Sequence, residues 1–148
     1  TASEEDIYRN QISEQPDALK RMEGKRILLA EDNDLNAEIA IELLAEQKII
    51  ADRAMDGAEC LDKLEKAAPG YYDMILMDIQ MPVMDGYDAT ARIRRMKDDE
   101  KASIPIIAMT ANAFAEDRQK AISIGMNDHV AKPIDMKVLL PVIAKYIR

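Results

Sequence analysis

Apolar and polar positions alternate along this chain in a pattern that predicts strands and helices in turn. Five short apolar runs are read as strands, at residues 25–30, 49–54, 73–77, 104–110 and 128–131. Helical spacing of apolar residues follows each of them, at residues 34–47, 56–68, 85–96, 112–125 and 135–147. Five strands that alternate with five helices predict an α/β fold with a parallel sheet covered by helices on both faces.

The first helical segment has the plainest amphipathic pattern. Its spacing places four large apolar residues on one side, which is the predicted inward face: Leu35, Ile39, Leu43 and Leu44. Residues 1–24 differ from everything that follows, because they hold six acidic and three basic residues, include Pro16 and lack a sustained apolar period. We therefore expect a linker over residues 1–24, flexible or with a short helix, and one domain over residues 25–148.

Composition narrows the class of protein. A length of 148 residues suits about one domain, and 48% hydrophobic with 32% charged residues is typical of a folded globular chain. The net charge of −8 argues against direct contact with nucleic acid. Cys60 is the only cysteine, so an internal disulfide is excluded and a reducing cytoplasm is the expected location. No apolar run reaches the length of a membrane span.

Polar residues of four kinds stand where the predicted strands end. Glu31 and Asp32 follow the first strand, Asp78 the third, Thr110 closes the fourth and Lys132 follows the fifth. The carboxyl ends of parallel strands share one edge of a sheet, where open α/β folds bind their ligands. We therefore expect these side chains to converge on one crevice.

Three carboxylates that crowd together repel one another unless a cation lies among them. Mg²⁺ takes oxygen ligands of this kind and commonly shares them with phosphate oxygens. Asp78 can attack phosphorus and form an acyl phosphate, while Lys132 and the metal would neutralise the phosphoryl oxygens. Each residue also has a plainer interpretation: a turn or cap for Asp78, an acidic helix cap for residues 31–34, a strand end for Thr110 and a loop for Lys132. Their joint occurrence at strand ends favours the phosphate site.

Four stretches resemble the receiver domain of two-component response regulators. They are LLAEDNDLN, MILMDIQMPVMDGYDA, IIAMTA and HVAKP. The resemblance covers residues 25–148 and is nearest to receivers attached to hybrid sensor histidine kinases. It implies a flavodoxin-like, doubly wound (βα)5 fold, whose five-stranded parallel sheet has the order 2-1-3-4-5.

The resemblance also implies roles for the residues of the crevice. Asp78 would accept a phosphoryl group from a phosphohistidine. Asp32, Asp78 and the backbone carbonyl of Gln80 would bind Mg²⁺ (or Mn²⁺) directly, and Glu31 would act through a water molecule. Lys132 would contact the phosphoryl group, and Thr110 would move to donate a hydrogen bond to it.

Further positions are implied to shape or tune the site. Ala111 would be small so that the donor and water can approach, Asn112 and Gln80 would tune the loss of the phosphoryl group, and the Lys132–Pro133 bond would be cis. His129 stands where many relatives carry Tyr or Phe as part of the switch, so a switching role and a plain packing role both stay open for it.

The resemblance implies partners as well. The phosphodonor would be the dimerisation domain of a histidine kinase or a histidine phosphotransfer protein. The receiver itself would make no contact with a membrane, and a homodimer is left open. Phosphorylation would rearrange the surface of helix 112–124, strand 128–131 and the last helix. The chain starts at Thr1 and ends at Arg148, so we expect the carboxyl-terminal receiver of a larger histidine kinase, which can itself be anchored in a membrane. Such a domain catalyses its own phosphorylation and dephosphorylation without being a turnover enzyme.

Other functions remain as alternatives. A stand-alone single-domain regulator and a docking module that has lost its chemistry would share the fold. An aspartyl phosphatase of the haloacid dehalogenase type needs a second acid where this chain has Gln80. A flavodoxin-like cofactor carrier is disfavoured because EDNDL would repel a phosphate, and a dinucleotide site because G-x-G-x-x-G is missing.

Overall fold

From Arg26 onwards, the described part of the chain contains five strands and six helices. The computed structural model describes residues 20–111 and 115–147. The strands are β1 Arg26–Ala30, β2 Ile50–Ala54, β3 Met74–Asp78, β4 Ile106–Thr110 and β5 Asp128–Ala131. The helices are α1 Asp34–Glu46, α2 Gly57–Lys66, α3 Gly86–Arg94, α4 Asp99–Ala102, α5 Ala115–Ile124 and α6 Met136–Tyr146.

The strands form a single parallel sheet in the order β2-β1-β3-β4-β5, which confirms the predicted order 2-1-3-4-5. Strand β3 lies at the centre, and all five of its residues are buried. Because successive side chains of a strand point to opposite faces, β3 serves two cores at once. Ile75 and Met77 belong to one apolar cluster, whereas Met74 and Leu76 belong to the other.

Each face of the sheet carries its own layer of helices. Helices α2, α3 and α5 contribute Cys60, Leu64, Ala89, Ile93 and Ala121 to the first cluster. Helices α1 and α6 contribute Ala37, Ala40, Leu44, Leu139, Leu140 and Ile143 to the second. Each fully buried aliphatic side chain stabilises the fold by about 1.5–3 kcal/mol relative to an exposed one. The two clusters therefore hold the carboxyl ends of the strands in fixed positions.

The prediction for α1 is wrong for two of the four residues that were expected to face inward. Leu35 and Ile39 are 64% and 46% exposed, whereas Ala37, Ala40 and Leu44 are buried. The small side chains of the alanines let the helix approach the sheet closely, and this turns Leu35 and Ile39 outward. The chain also has a helix that the pattern did not predict: α4 is a single turn, capped by Asp98, whose side chain accepts a hydrogen bond from the backbone NH of Lys101.

The segment just before β1 packs on the domain. Residues 20–22 are helical, and Met22 is buried in the cluster beneath α1 and α6. Arg21 donates a hydrogen bond from Nη2 to the backbone oxygen of Ala144 at 2.6 Å. The predicted linker falls mostly on residues 1–19, which lie outside the described residues, so the boundary at residue 24 stays a prediction.

Candidate functional site

The ends of four strands open into one cavity of about 440 Å³. Glu31 and Asp32 follow β1, Asp78 closes β3, Thr110 closes β4 and Lys132 follows β5. Twelve residues line this cavity: Glu31, Asp32, Asn33, Asn36, Asp78, Ile79, Gln80, Tyr87, Thr110, Ala111, Lys120 and Lys132. The structure therefore brings together the five residues that the sequence placed at one edge of the sheet, and it adds side chains from α3 and α5.

Two residues, one in the loop and one on β2, hold the acidic loop after β1 in place. Asn33 caps α1, because its side chain accepts a hydrogen bond from the backbone NH of Asn36 at 2.9 Å. From β2, Arg53 donates to the backbone oxygens of Glu31 and Asp32 at 3.0 and 3.2 Å. Its Nη1 also lies 2.6 Å from Oδ1 of Asp34. Arg53 thus fixes the backbone that presents the two acids, a role that the sequence pattern gave no sign of.

Three carboxylates meet in the cavity. Single oxygens of Glu31, Asp32 and Asp78 all lie within 4.8 Å of one another. Glu31 and Asp78 are buried, and Asp32 is exposed. Nζ of Lys132 lies 2.9 Å from Oδ2 of Asp78 and 3.0 Å from Oε2 of Glu31. Lys132 thus pairs with two of the three acids, and the three carboxylates with this one paired ammonium keep an excess of negative charge.

Burial raises the pKa of Asp78 from 3.8 to about 6. The charge of Glu31 adds to the increase, whereas Lys132 and the backbone NH of Gln80, which donates to Oδ1 at 3.2 Å, oppose it. For Lys132, burial alone would lower the pKa, but its hydrogen bonds to Asp78 and Glu31 outweigh burial and raise it. The site therefore favours a charged lysine beside an aspartate that is costly to ionise, which is the state that a further cation would relieve.

The remaining predicted residues are placed less uniformly. Ala111 is exposed at the cavity, and the Lys132–Pro133 peptide bond is cis. His129 is not among the described residues that line the cavity. Its Nδ1 is buried without a hydrogen-bond partner in the described structure, 3.8 Å from Oδ1 of Asp128. Asn112 lies outside the described residues.

Comparison with known sequences decides the family. The family described as response regulator receiver domain matches residues 27–144. The chain belongs to this family. The receiver domain is 40% identical over 133 residues to hybrid signal transduction histidine kinase B of Dictyostelium discoideum, a match that covers 83% of this chain and 7% of that protein. The chain thus spans only a small part of the relatives that it matches.

Two solved structures resemble this receiver domain. One is the receiver domain of sensor histidine kinase PA1611 from Pseudomonas aeruginosa, with 36% identity, a TM-score of 0.73, and coverage of 83% of this chain and 97% of that one. It holds a magnesium ion in its active-site cleft. The other is the receiver domain of Ssk1 from Saccharomyces cerevisiae, in complex with the histidine phosphotransfer protein Ypd1, with 29% identity, a TM-score of 0.75, and coverage of 84% and 90%.

These likenesses confirm the predicted flavodoxin-like fold and the resemblance to receivers of hybrid histidine kinases. The chain is a receiver domain of a two-component phosphorelay. No helix among residues 20–111 and 115–147 has the length and apolar character to cross a bilayer.

The donor set of this receiver domain fits a hard divalent cation. Carboxylate oxygens from two strand ends lie within 4.8 Å of one another, and Mg²⁺ is bound in proteins by one or two carboxylates together with water. Asp32 is exposed, so an ion can enter from solvent. Gln80 lines the same cavity next to Asp78.

Proposed function

We propose that Asp78 is the phosphoacceptor of this receiver domain and takes its phosphoryl group from a phosphohistidine. The observation that supports the proposal is the position of the Asp78 carboxylate: it is buried at the carboxyl edge of the sheet, 2.9 Å from the ammonium of Lys132 and within reach of two further acids. Asp32 and Asp78, with the backbone oxygen of Gln80, would hold Mg²⁺ or Mn²⁺, and Glu31 would reach it through water.

The chemistry asks little of the protein beyond position and charge. An oxygen of Asp78 bonds to phosphorus while the bond from phosphorus to the imidazole nitrogen breaks, and that nitrogen keeps the electron pair. Lys132 neutralises charge on the phosphoryl oxygens, and the hydroxyl of Thr110 turns towards them. A bound Mg²⁺ would supply further positive charge at the same oxygens. Ala111 leaves room for the donor, and Gln80 and Asn112 tune attack by water.

The phosphodonor would dock over α1. Leu35 and Ile39 are exposed on this helix, and Ile39 lines a second cavity of about 340 Å³ together with Leu29, Ala40, Pro133 and Ile134. Glu31 and Lys132 line both cavities, so an apolar surface adjoins the phosphoacceptor. A helical histidine phosphotransfer protein, or the dimerisation domain of a histidine kinase, could bury apolar side chains there.

Matched variants test the docking surface. Leu35→Ser and Ile39→Ser should each slow transfer from a phosphorylated histidine phosphotransfer protein by about five- to thirty-fold, since each removes roughly 1–2 kcal/mol of apolar contact. Transfer from a small acyl phosphate should not change. Ile122→Ser on α5 is the control, because Ile122 has the same 46% exposure as Ile39. Equal loss with both donors would show a damaged site instead of a lost contact.

We infer that the wider protein is a hybrid histidine kinase, because the curated relatives are kinases of this class. The domain would then lie in the cytoplasm, whether or not its parent is anchored in a membrane. Phosphorylation would change the surface of α5, β5 and α6. A homodimer through that surface remains an alternative.

Labelling with a small acyl phosphate tests the central claim. With Mg²⁺ present, intact-mass spectrometry should show one phosphoryl group on the wild type and none on Asp78→Asn. Asp62→Asn is the control, because Asp62 is an exposed acid on α2 that pairs with Lys66. A wild type that takes up no phosphoryl group and does not bind beryllofluoride would identify the chain as a docking module.

A further inference from the structure

A lysine and a tyrosine from two helices meet at the phosphoacceptor cavity. Nζ of Lys120 on α5 lies 4.5 Å from the centroid of the Tyr87 ring on α3. Both residues line the phosphoacceptor cavity, and both also line a neighbouring cavity of about 490 Å³ bounded by Gln80, Pro82 and Asp85. The pair therefore stands in the wall that the two cavities share.

The position of Lys120 matters because the phosphoacceptor cavity carries three acids. The ammonium of Lys132 already lies between Asp78 and Glu31, at 2.9 and 3.0 Å. A phosphodonor is itself an anion and must approach three carboxylates to reach Asp78. Lys120 brings a second ammonium to the same cavity. The face of an aromatic ring attracts a cation without neutralising it, so contact with Tyr87 leaves the charge of Lys120 available.

We propose that Lys120 is a second phosphate-binding cation of the site and that Tyr87 is the residue that positions it. The ammonium attracts the anionic phosphodonor into the cavity and then pairs with the phosphoryl oxygens on Asp78. Lys120 is exposed, so its side chain can leave the ring without unpacking the core. This inference rests on the proposed role of Asp78 as phosphoacceptor.

Removal of the charge should slow phosphorylation in a way that depends on salt. Lys120→Gln should react with acetyl phosphate about three- to ten-fold more slowly than the wild type at an ionic strength of about 0.01 M. The difference should fall below about two-fold at about 1 M, because the Debye length shrinks from about 30 Å to about 3 Å. Lys120→Arg should react at nearly the wild-type rate, since a guanidinium is a cation that also stacks on aromatic rings.

Lys48→Gln is the matched control for net charge. Lys48 is exposed and precedes β2 at the opposite edge of the sheet, where its Nζ lies 3.9 Å from Glu23. The substitution Lys48→Gln removes the same charge from the chain as Lys120→Gln does, but at the end of the sheet opposite to Asp78. At low ionic strength its rate should fall by less than about half as much as that of Lys120→Gln, because its charge lies a strand length farther from Asp78. At about 1 M its rate should match the wild type.

Binding of Mg²⁺ distinguishes a lost cation from a damaged site. Calorimetric titration should show that Lys120→Gln binds Mg²⁺ as tightly as the wild type or up to about three-fold more tightly, because one repelling charge is gone. A variant that merely distorts the cavity would bind both Mg²⁺ and the phosphodonor more weakly. Such parallel weakening would overturn the inference.

A double-mutant cycle tests the role of Tyr87. Tyr87→Phe keeps the ring and should keep the effect of Lys120→Gln, whereas in Tyr87→Leu the effect should shrink to less than half. An effect of the same size in both backgrounds would overturn the positioning role. A rate for Lys120→Gln equal to the wild type at low salt would overturn the inference alone, whereas absence of labelling in the wild type would overturn the proposed function as well.

Discussion

Lys132 donates a hydrogen bond of 2.9 Å to Oδ2 of Asp78 across 54 residues of sequence. The same ammonium lies 3.0 Å from Oε2 of Glu31. Both carboxylates are nearly buried, with side-chain exposures of 4% for Asp78 and 3% for Glu31. A single cation therefore compensates two buried acids, and the stability of the metal-free domain depends on it.

Replacement of Lys132 by methionine should destabilise the metal-free domain by about 2–3 kcal/mol at neutral pH. Breaking a buried ion pair costs roughly 3–5 kcal/mol because the remaining charge has no partner, and the partial exposure of Lys132, 21%, reduces that cost. Urea unfolding in the presence of EDTA measures the change. Lys132→Arg keeps the charge and should lose less than half as much. An unfolding midpoint for Lys132→Met equal to the wild type would contradict the proposed charge balance.

The raised pKa of Asp78 gives stability a definite dependence on pH. The pKa rises from 3.8 to about 6 on folding, so the folded state binds this proton more tightly than the unfolded state. The stabilisation of the fold by this bound proton is complete below the pKa of Asp78 in the unfolded chain. It is lost as pH rises through the pKa of Asp78 in the folded domain. Asp78→Asn has no proton to lose. In EDTA it should be more stable than the wild type by about 3 kcal/mol at about pH 7.5 and by only about 0.5 kcal/mol at about pH 4.

Mg²⁺ supplies the control for the pH experiment. An ion among Glu31, Asp32 and Asp78 should stabilise the ionised wild type and do less for Asp78→Asn, so the difference between the two should shrink as the metal is added. Thermal unfolding at several pH values, with and without Mg²⁺, measures both effects. A difference that stays constant from pH 4 to pH 7.5 would show that Asp78 does not carry the expected proton.

The sheet and the main cluster of the site were predictable from the sequence, because both follow from strand positions. Apolar runs locate the strands, and a parallel sheet brings the residues after its strands to one edge, as it does for Asp32, Asp78 and Lys132. The orientation of α1 was not predictable in this way. Large apolar residues dominate its pattern, yet Ala37 and Ala40 face the sheet because their small size permits close packing.

Contacts between distant side chains escaped prediction for a different reason. The position of Arg53 over the acidic loop depends on the register of β1 with β2, which pairs Leu29 with Arg53. The contact of Lys120 with Tyr87 depends on the distance between two helices. The spacing of apolar residues along the chain predicts neither the register of two strands nor the distance between two helices. Polar residues at exposed helical positions also look alike in sequence whether or not they line a site.

Cys60 should be inert in the folded domain. The thiol is fully buried on α2, and burial, with a smaller contribution from the charge of Asp56, raises its pKa to about 12 against the opposing charge of Lys63. Since the thiolate is the reactive form, an aromatic disulfide reagent at about pH 8 should label the native protein only as fast as it unfolds. Labelling in urea should be immediate and stoichiometric, because Cys60 is the only cysteine. Fast labelling without denaturant would contradict the buried position.

Gly86 should tolerate no side chain, because α3 begins against the peptide that follows Asp78. A Cβ at Gly86 would overlap the backbone oxygen of Asp78 and lie 3.0 Å from Cα of Ile79. The NH of Gly86 also donates to the oxygen of Ile79 at 2.9 Å. We expect Gly86→Ala to destabilise the domain by about 2–3 kcal/mol through overpacking and to weaken Mg²⁺ binding, because the backbone beside Asp78 must shift.

Gly24→Ala is the matched control for this change. Gly24 has a φ of +78° and nothing within 4 Å of an added Cβ, so the substitution strains only the local backbone, at a cost of about 1–2 kcal/mol. Its Mg²⁺ affinity should equal that of the wild type, since the residue precedes β1 at the opposite edge of the sheet from Asp78. Urea unfolding and Mg²⁺ titration of the two variants separate a general loss of stability from a shift at the site. If Gly86→Ala bound Mg²⁺ as tightly as Gly24→Ala does, the start of α3 would not be what holds Asp78 in position.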